Sequence, residues 1–450
     1  MESQSSSAGI ALIGCGTVGS STASLLIENR VRRTSRSGID LELKYIVDRN
    51  FEHARSAGLP EELYCEDLEK ALSDPKVSMV IELVGGTGFA KELILRALNA
   101  GKHVITANKA LLAHHGAELY RVARERGVSL AFEASCGGGI PIIRALTDGL
   151  MANEIDALYG IVNGTCNYIL TEMIEQGQSY AEALAEAQAS GLAEADPTLD
   201  VNGSDSAHKI AIMGSLAFGE SADIDKIPVQ GIDTLEATDV NFGAEMGYII
   251  KLIASAIKSE EGIFLRVEPA FIPEDHPLAW VSGSFNAVSV YGHSVGHTMY
   301  YGRGAGGNPT ASAVVADAIS IANGSYPRLF SQAAIWPDLT PRARQLPAEQ
   351  IRRRYYLRFN LQDKPGILSR VTTALAAEGI SVSSILQHEA PEEPESGHAL
   401  NLPVPLVVTT HRVREAAVIR AAEAISGDPE IADEYRIIPI LDEHPEFNSM

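Results

Sequence analysis

Cysteine is scarce. Cys15, Cys65, Cys136 and Cys166 are the only four in 450 residues, and no C-x-x-C pair occurs among them. This excludes a disulfide framework and a thiolate zinc site, and it fits reduced thiols in a cytoplasmic protein. Positive charge is also short: 36 Lys and Arg stand against 58 Asp and Glu, a formal charge of -22. Nucleic-acid binding needs a basic footprint, so it is not expected. No apolar run reaches the ~18 residues of a membrane span. The start, "MESQSSSAGIALIG", has no basic segment leading into a signal-type core, so neither a membrane partner nor a secretion signal is expected. Hydrophobic residues make up 45% and charged residues 21%. A chain of this length and composition divides into two or three domains, each with core enough to fold without staples.

What is present first is a strand and helix alternation. "GIALIGCGTVGSSTASLLIENR" reads as strand, glycine turn and helix. "LELKYIVDRN" and "VSMVIELVGG" follow as strands, then a helix over "AKELILRALNAGK" and the same plan through "HVITANKALLAHHGAELYRVARERG" and "VSLAFEAS". Such alternation predicts an α/β domain with a mostly parallel sheet. From about residue 145 the rhythm loosens into an α+β region, with helices over "YAEALAEAQASG" and "SAHKIAIMGSLAFG" and strands in "GIFLRVEPAFI", "NAVSVYGHSV" and "TMYYGRGAGG". A segment rich in Pro, Arg and Gln reads as a linker. The rest follows a β-α-β-β-α-β order, the ferredoxin-like arrangement, with a polar loop over "EAPEEPESGHALN".

Gly14, Gly16 and Gly19 form G-x-G-x-x-G between the first strand and its helix, with Cys15, Thr17 and Val18 between them. The glycines permit a tight turn and let backbone approach a pyrophosphate at a helix N-terminus, which predicts NADP or NAD as cofactor. At the end of the second strand Asp48 could accept from a ribose 2′-hydroxyl, while Arg49 could pair with a 2′-phosphate. Asp48 lies beyond the usual ~20 residues from the glycines, because the polar "NRVRRTSRSG" lengthens the helix or its exit; most of its arginines read as a solvated turn. Gly86 and Thr87, after the third apolar strand, join the cofactor-binding candidates. Lys109 closes "ANK" at the ligand side of the sheet, either as a cation near the nicotinamide or as a lysine lying over a helix start.

"GLAEADPTLDVNGSDSAHK" carries the chemistry. Glu194, Asp196, Asp200 and Asp205 lie on a path punctuated by Pro and Gly, and Asp205 and Lys209 share one helix face at i,i+4. An N-terminal carboxylate and an exposed ion-pair partner would explain both residues. However, the helix continues as the apolar "IAIMGSLAF", where a lysine is costly unless paired or working.

This segment resembles the signature of homoserine dehydrogenases, with Ala187, Gly191, Asp196, Pro197, Asp200, Gly203, Asp205 and Lys209 at the family's intervals. The glycine fingerprint, "TANK", "EASCGGGIPI", "GIVNGTCNYIL" and "GRGAGGNPTA" resemble further family segments in the same order, over residues 9 to 325. "DKPGILSRVTTALAAEGISV" resembles the turn and first helix of an ACT domain. The resemblance implies residues 1–145 as cofactor domain, completed by part of 305–325. It also implies a catalytic domain over 146–323, a linker over 324–353 and an ACT regulatory domain over 354–442. The implied reaction is the reversible, NAD(P)H-dependent reduction of L-aspartate 4-semialdehyde to L-homoserine, toward threonine, methionine and isoleucine.

By the same resemblance Lys209 is the proton donor, with Asp205 beside it and Lys109 as second active-site lysine. Glu194 holds the substrate ammonium, with Asp200, Thr165 and Asn167 near the substrate. Gly304, Ala305, Gly306 and Thr310 return to the cofactor. Glu133, Cys136, Gly138 and Ile140 hold a sodium or potassium ion, mostly through backbone carbonyls. Leu192 stands where the family commonly has an aromatic residue. The ACT domain implies threonine or another amino acid as effector, and a homodimer or homotetramer. Two rivals are a different dehydrogenase on the same cofactor domain and an inactive amino-acid sensor on the same scaffold. Intact Lys109, Glu194, Asp205 and Lys209 argue against the second.

Overall fold

The computed structural model describes residues 6–362, 364–388, 403–428 and 431–441; the expected loop over "EAPEEPESGHALN" lies outside them. The first domain is built on β1 (Ser6–Ile13), β2 (Ile39–Val47), β3 (Tyr64–Cys65), β4 (Val77–Glu82), β5 (His103–Thr106) and β6 (Leu130–Ala131). They lie in the order β3-β2-β1-β4-β5-β6 with all pairs parallel. Parallel strands between two helix layers are buried on both faces, which is why Ile10, Ala11, Leu12, Val80 and Ile81 are all fully buried. The order reverses between β1 and β4, and a ligand crevice opens there, beyond the strands' carboxyl ends.

"NRVRRTSRSG" lengthens the exit of the first helix with a second helix rather than a turn; Arg30, Arg32 and Arg36 are exposed as expected, and Arg33 is not. Helix Thr17–Glu28 ends, and a second helix, Arg30–Ser37, stops at Gly38 with φ 72°. Arg33 is buried, and its guanidinium donates to the carbonyls of Leu25, Leu26 and Leu41. It thereby satisfies acceptors at the end of the preceding helix and on the neighbouring strand.

The second sheet contains β7 (Ile155–Ile161), β8 (Tyr248–Ser259), β9 (Gly262–Pro273), β10 (Phe285–Gly292) and β11 (Gly296–Arg303). It continues without a break into the ACT strands: β12 (Arg352–Gln362), β13 (Val382–Gln387), β14 (Pro403–Thr410), β15 (Val413–Arg414) and β16 (Ala432–Ile440). The order is β11-β10-β7-β8-β9-β16-β12-β14-β13, with β15 paired to β12. The join is a single parallel contact, Ile440 against Phe271, with the Leu441 amide donating to the Phe271 carbonyl at 2.8 Å.

Arginines lock that join. Arg358 on β12, almost wholly buried, bonds Asp239 at 2.6 Å and Glu236 at 2.8 Å, and Tyr356 donates to the same Asp239. Arg436 reaches the other oxygen of Glu236. On the far side Arg266 and Arg353 share Glu268 and Glu415.

The expected linker over 324–353 is not an extended connector. Helix Ser325–Gln332 opens it, Trp336 is fully buried against Tyr120, Phe132 and Phe330, and Asp338 pairs with Arg124. A few aromatic anchors hold this strap against the first domain, and too few of them occur to produce a periodic pattern. Among the described residues no helix is long and apolar enough to cross a membrane.

Candidate active site

The glycine turn has the shape a dinucleotide requires. Gly14 has φ 92°, and a Cβ there would lie 2.8 Å from the Leu83 carbonyl. A Cβ on Gly19 would lie 2.1 Å from the Gly14 carbonyl oxygen, so strand and helix meet at contact. Gly16 faces open space and leaves the helix N-terminus accessible. Asp48 ties the turn down: one oxygen accepts from the Cys15 amide at 2.6 Å, the other from the amides of Arg49 and Asn50. Arg49 is exposed, and its guanidinium has no partner among the described residues.

A buried carboxylate shapes the other side of the crevice. Glu82, at the end of β4, accepts from the amides of Val84 and Gly85 and from the Thr106 hydroxyl. Thr106 in turn accepts from the Asn108 amide. The Asn108 side chain caps helix Lys109–Glu125 and donates to the Gly86 carbonyl at 2.6 Å. One chain of bonds therefore sets both the loop carrying Gly86 and the exposed Thr87 and the helix start carrying Lys109. Neither Glu82 nor Asn108 was singled out from sequence, although a lone carboxylate ending the apolar strand "VSMVIE" was the available signal.

Helix Ser204–Phe218 begins after Gly203, at φ 87°, and nearly every residue along it is buried. Asp205 and Lys209 face inward from it. The Lys209 ammonium donates to Asp205 at 2.6 Å and to the Val162 carbonyl, just past β7, at 2.6 Å. Lys109 reaches the other Asp205 oxygen at 2.8 Å. Two lysines from two domains thus share one carboxylate. Burial alone would raise the Asp205 pKa, but the charges of Lys209 and Lys109 outweigh it and hold the group well below the ordinary carboxylate range. For Lys109 burial works against the charged form, and the Asp205 charge and hydrogen bond overcome it, leaving its pKa raised. An ammonium has three protons, and Lys209 spends two inside the protein, so one remains for a ligand.

Asn163 joins this group, although it was not among the sequence candidates. It caps helix Gly164–Glu175 through its oxygen, while its amide nitrogen donates to Asp200 at 2.8 Å and Asp205 at 3.0 Å. Thr165 donates to Asp200 and to the Leu192 carbonyl. Asp200, Asp205, Lys109, Lys209 and Thr165 therefore come together. Asn167 does not: its amide holds the carbonyls of Val281, Gly283 and Phe285, and its oxygen accepts from buried Lys251. Glu194 lies exposed on the turn after helix Tyr180–Ala189, outside the hydrogen-bonded cluster.

Gly306 precedes helix Gly307–Ala322, and Thr310, in its first turn, is buried. A Cβ on Gly307 would lie 2.4 Å from Ser21 Oγ, so the start of this helix packs on the fingerprint helix, while Gly304 and Ala305 just before it lie against Gly138. Glu133 is buried, and its two oxygens accept from the amides of Ile143 and Arg144. Burial, and the Asp317 charge beside it, push its pKa up to about 8. The Cys136 thiol donates to the Lys209 carbonyl and accepts from the Ser135 hydroxyl. Among the described residues no three His, Cys, Asp or Glu side chains gather at metal-holding distance.

A glycine-turn crevice, a lysine-carboxylate pair where the second domain meets it, and an appended ACT domain define a nicotinamide-dependent oxidoreductase with a regulatory module. The homoserine dehydrogenase NAD-binding domain profile matches residues 14–133, the homoserine dehydrogenase profile matches 141–319 and the ACT profile matches 355–427. Homoserine dehydrogenase of Pseudomonas aeruginosa is 43% identical over 93% of this chain and 96% of its own. The crystal structure of a homoserine dehydrogenase from Thiobacillus denitrificans aligns at TM-score 0.89 with 39% identity, covering 97% of this chain and 98% of that one. A hyperthermophilic archaeal homoserine dehydrogenase in complex with NADPH aligns at TM-score 0.59 with 27% identity, over 70% of this chain and 97% of its own. The chain belongs to the homoserine dehydrogenase family.

Proposed function

We propose that Lys209 is the proton-transfer group in the interconversion of L-aspartate 4-semialdehyde and L-homoserine, the family's reaction. The observation that carries this is the pair of lysines, one from each domain, on the single carboxylate of Asp205. Bound NAD(P)H supplies the hydride. As the aldehyde oxygen becomes an alkoxide, the free N–H of Lys209 lies in the protein's only described lysine pair that can stabilise and protonate it. Asp205 keeps both ammonium groups in place, and Lys109 adds a second positive charge. Asp200, oriented by Asn163 and Thr165, and exposed Glu194 offer carboxylates to the substrate ammonium. Nothing in this arrangement favours an inactive sensor.

NADP is the favoured cofactor in this reading. Asp48 already spends both oxygens on backbone amides, while Arg49 stands free for a 2′-phosphate. The archaeal relative's NADPH is consistent with that choice. A monovalent cation would be held by oxygen donors, Glu133 and the carbonyls of Cys136, Gly138 and Ile140, which suits sodium or potassium. The four free thiols suit a reducing cytoplasm. An amino-acid effector such as threonine would dock at the ACT turn, where Gly366 adopts φ 93° before helix Ile367–Ala377, in a homodimer or homotetramer.

A spectrophotometric assay with aspartate semialdehyde, comparing NADPH with NADH, tests the reading. Activity with NADPH above NADH is expected, and Arg49→Gln should narrow the gap about tenfold. No oxidation of either cofactor would refute the reaction. Titration with threonine should lower the rate, and an unchanged rate at saturation would leave the ACT domain with assembly alone.

A further inference from the structure

Asn286, the second residue of β10, has a side-chain carboxamide with no hydrogen bond among the described residues. It is 1% exposed, its oxygen has no partner, and no hydrogen bond from its nitrogen is found among the described residues. An unpaired buried amide costs about 1–3 kcal/mol and persists where something else completes it.

The neighbouring loop's polar groups are engaged elsewhere and do not complete it. The loop leading into β10 is clamped: Asn167 holds the carbonyls of residues 281, 283 and 285, Lys251 holds Asn167 and the Val281 carbonyl, and the Thr171 hydroxyl accepts from the Gly283 amide. On its two sides Asn286 meets glycines. A Cβ on Gly304 would fall 1.8 Å from its nitrogen, and one on Gly164 would fall 3.5 Å from its oxygen. Asn286 therefore lies between the start of the Asn163-capped helix and the turn just before helix Gly307–Ala322, whose start packs on the fingerprint helix.

Its position in the sheet matters equally. Ala287 pairs with Ile161, which places Asn286 across from Val162, whose carbonyl anchors Lys209. A hydride donor and a proton donor must flank the same carbonyl carbon and oxygen, so the nicotinamide has to come to this junction. A primary amide offers one donor and one acceptor side by side, the pattern that complements another carboxamide.

We propose that Asn286 positions the nicotinamide by pairing with its carboxamide and so fixes the ring against the substrate carbonyl. This rests on the dinucleotide reading of the glycine crevice. The test uses the full-length chain with Asn286→Leu, which keeps the volume and removes both bonding atoms, and Asn286→Asp, which keeps the shape and replaces the amide donor. Binding is titrated with NADPH and with 2′-phospho-ADP-ribose, which lacks the nicotinamide; melting without ligand is recorded alongside. We expect NADPH to bind roughly tenfold more weakly to both variants, with 2′-phospho-ADP-ribose within twofold of wild type. The ligand-free Asn286→Leu chain should melt no lower than wild type, and kcat should fall as the KM for NADPH rises. Equal weakening of both probes would make Asn286 a structural residue and overturn the proposal, as would no weakening of either. Wild-type protein that binds neither probe would instead remove the dinucleotide reading itself.

Discussion

At the cleft one carboxylate, Asp205, is shared by two lysines, whereas at the ACT seam four carboxylates are gripped by four arginines. Asp205 and Lys209 in the cleft, and Arg358, Asp239 and Glu268 at the seam, are buried, yet the two clusters use different cations for a physical reason. A lysine can give up its proton and retains a bond to offer. A guanidinium keeps its charge at any working pH and presents a fork that matches a carboxylate. Burial opposes the charge on Arg358, and the Asp239 bond more than restores it, holding the group above the usual guanidinium range. On the proposed role of Lys209 the cleft keeps a proton to transfer, and the seam has none to lose.

The sharpest way to break this contrast is Lys209→Ala. Turnover should fall about 10²–10⁴-fold, the usual range for a general acid or base, while NADPH binding measured by fluorescence stays near wild type. Equal turnover would remove Lys209 from the proton path. At the seam the effect should fall on stability. Arg358→Met leaves Asp239 buried without its cation and should cost about 3–5 kcal/mol in a urea titration. Pairing that change with Asp239→Leu should recover most of the loss, with turnover of the folded fraction nearly unchanged.

Lys251 is an intermediate case, a lysine used structurally. Burial pushes its pKa down to about 8, so the folded chain holds this proton less tightly than the unfolded chain. Its contribution to stability is complete above the unfolded value and is lost as pH falls through about 8, a swing of up to about 3 kcal/mol. Lys251→Met should flatten that part of the stability profile between pH 8 and 10. The smallest effect belongs to the rim of the cleft: Thr165→Val removes bonds to Asp200 and the Leu192 carbonyl, and should raise substrate KM by about 1 kcal/mol equivalent with kcat within a few-fold.

The parts legible in the sequence were those with local signals. The glycine fingerprint marks its own turn, and a lysine inside "HKIAIMGSLAF" is conspicuous because its neighbours are apolar. The ACT strand order is written in the alternation of its elements. Other parts depend on distant contacts. β7 and β8 give no strand signal of their own, because "IDALYGI" and "YIIKLIASAIKS" are covered on both faces over most of their length and lack a polar alternation. Asn163 and Asn167 sit four residues apart on one motif, and only tertiary placement shows that the first faces the aspartates and the second faces a loop. Trp336 converts a residue run without periodicity into a packed strap. Nothing local marks the buried arginines of β12, because their carboxylates arrive from residues 236, 239, 268 and 415.

The single backbone contact between β9 and β16 also bears on how the ACT domain can be altered. Cutting the chain before β12 would strip the outer edge of β9, take Arg358 and Tyr356 away from Asp239, leave Glu268 with Arg266 alone, and invite edge-to-edge association. The proposed effector turn at Gly366 is better probed by substitution than by deleting the domain, because the ACT module doubles as the hem of the catalytic sheet.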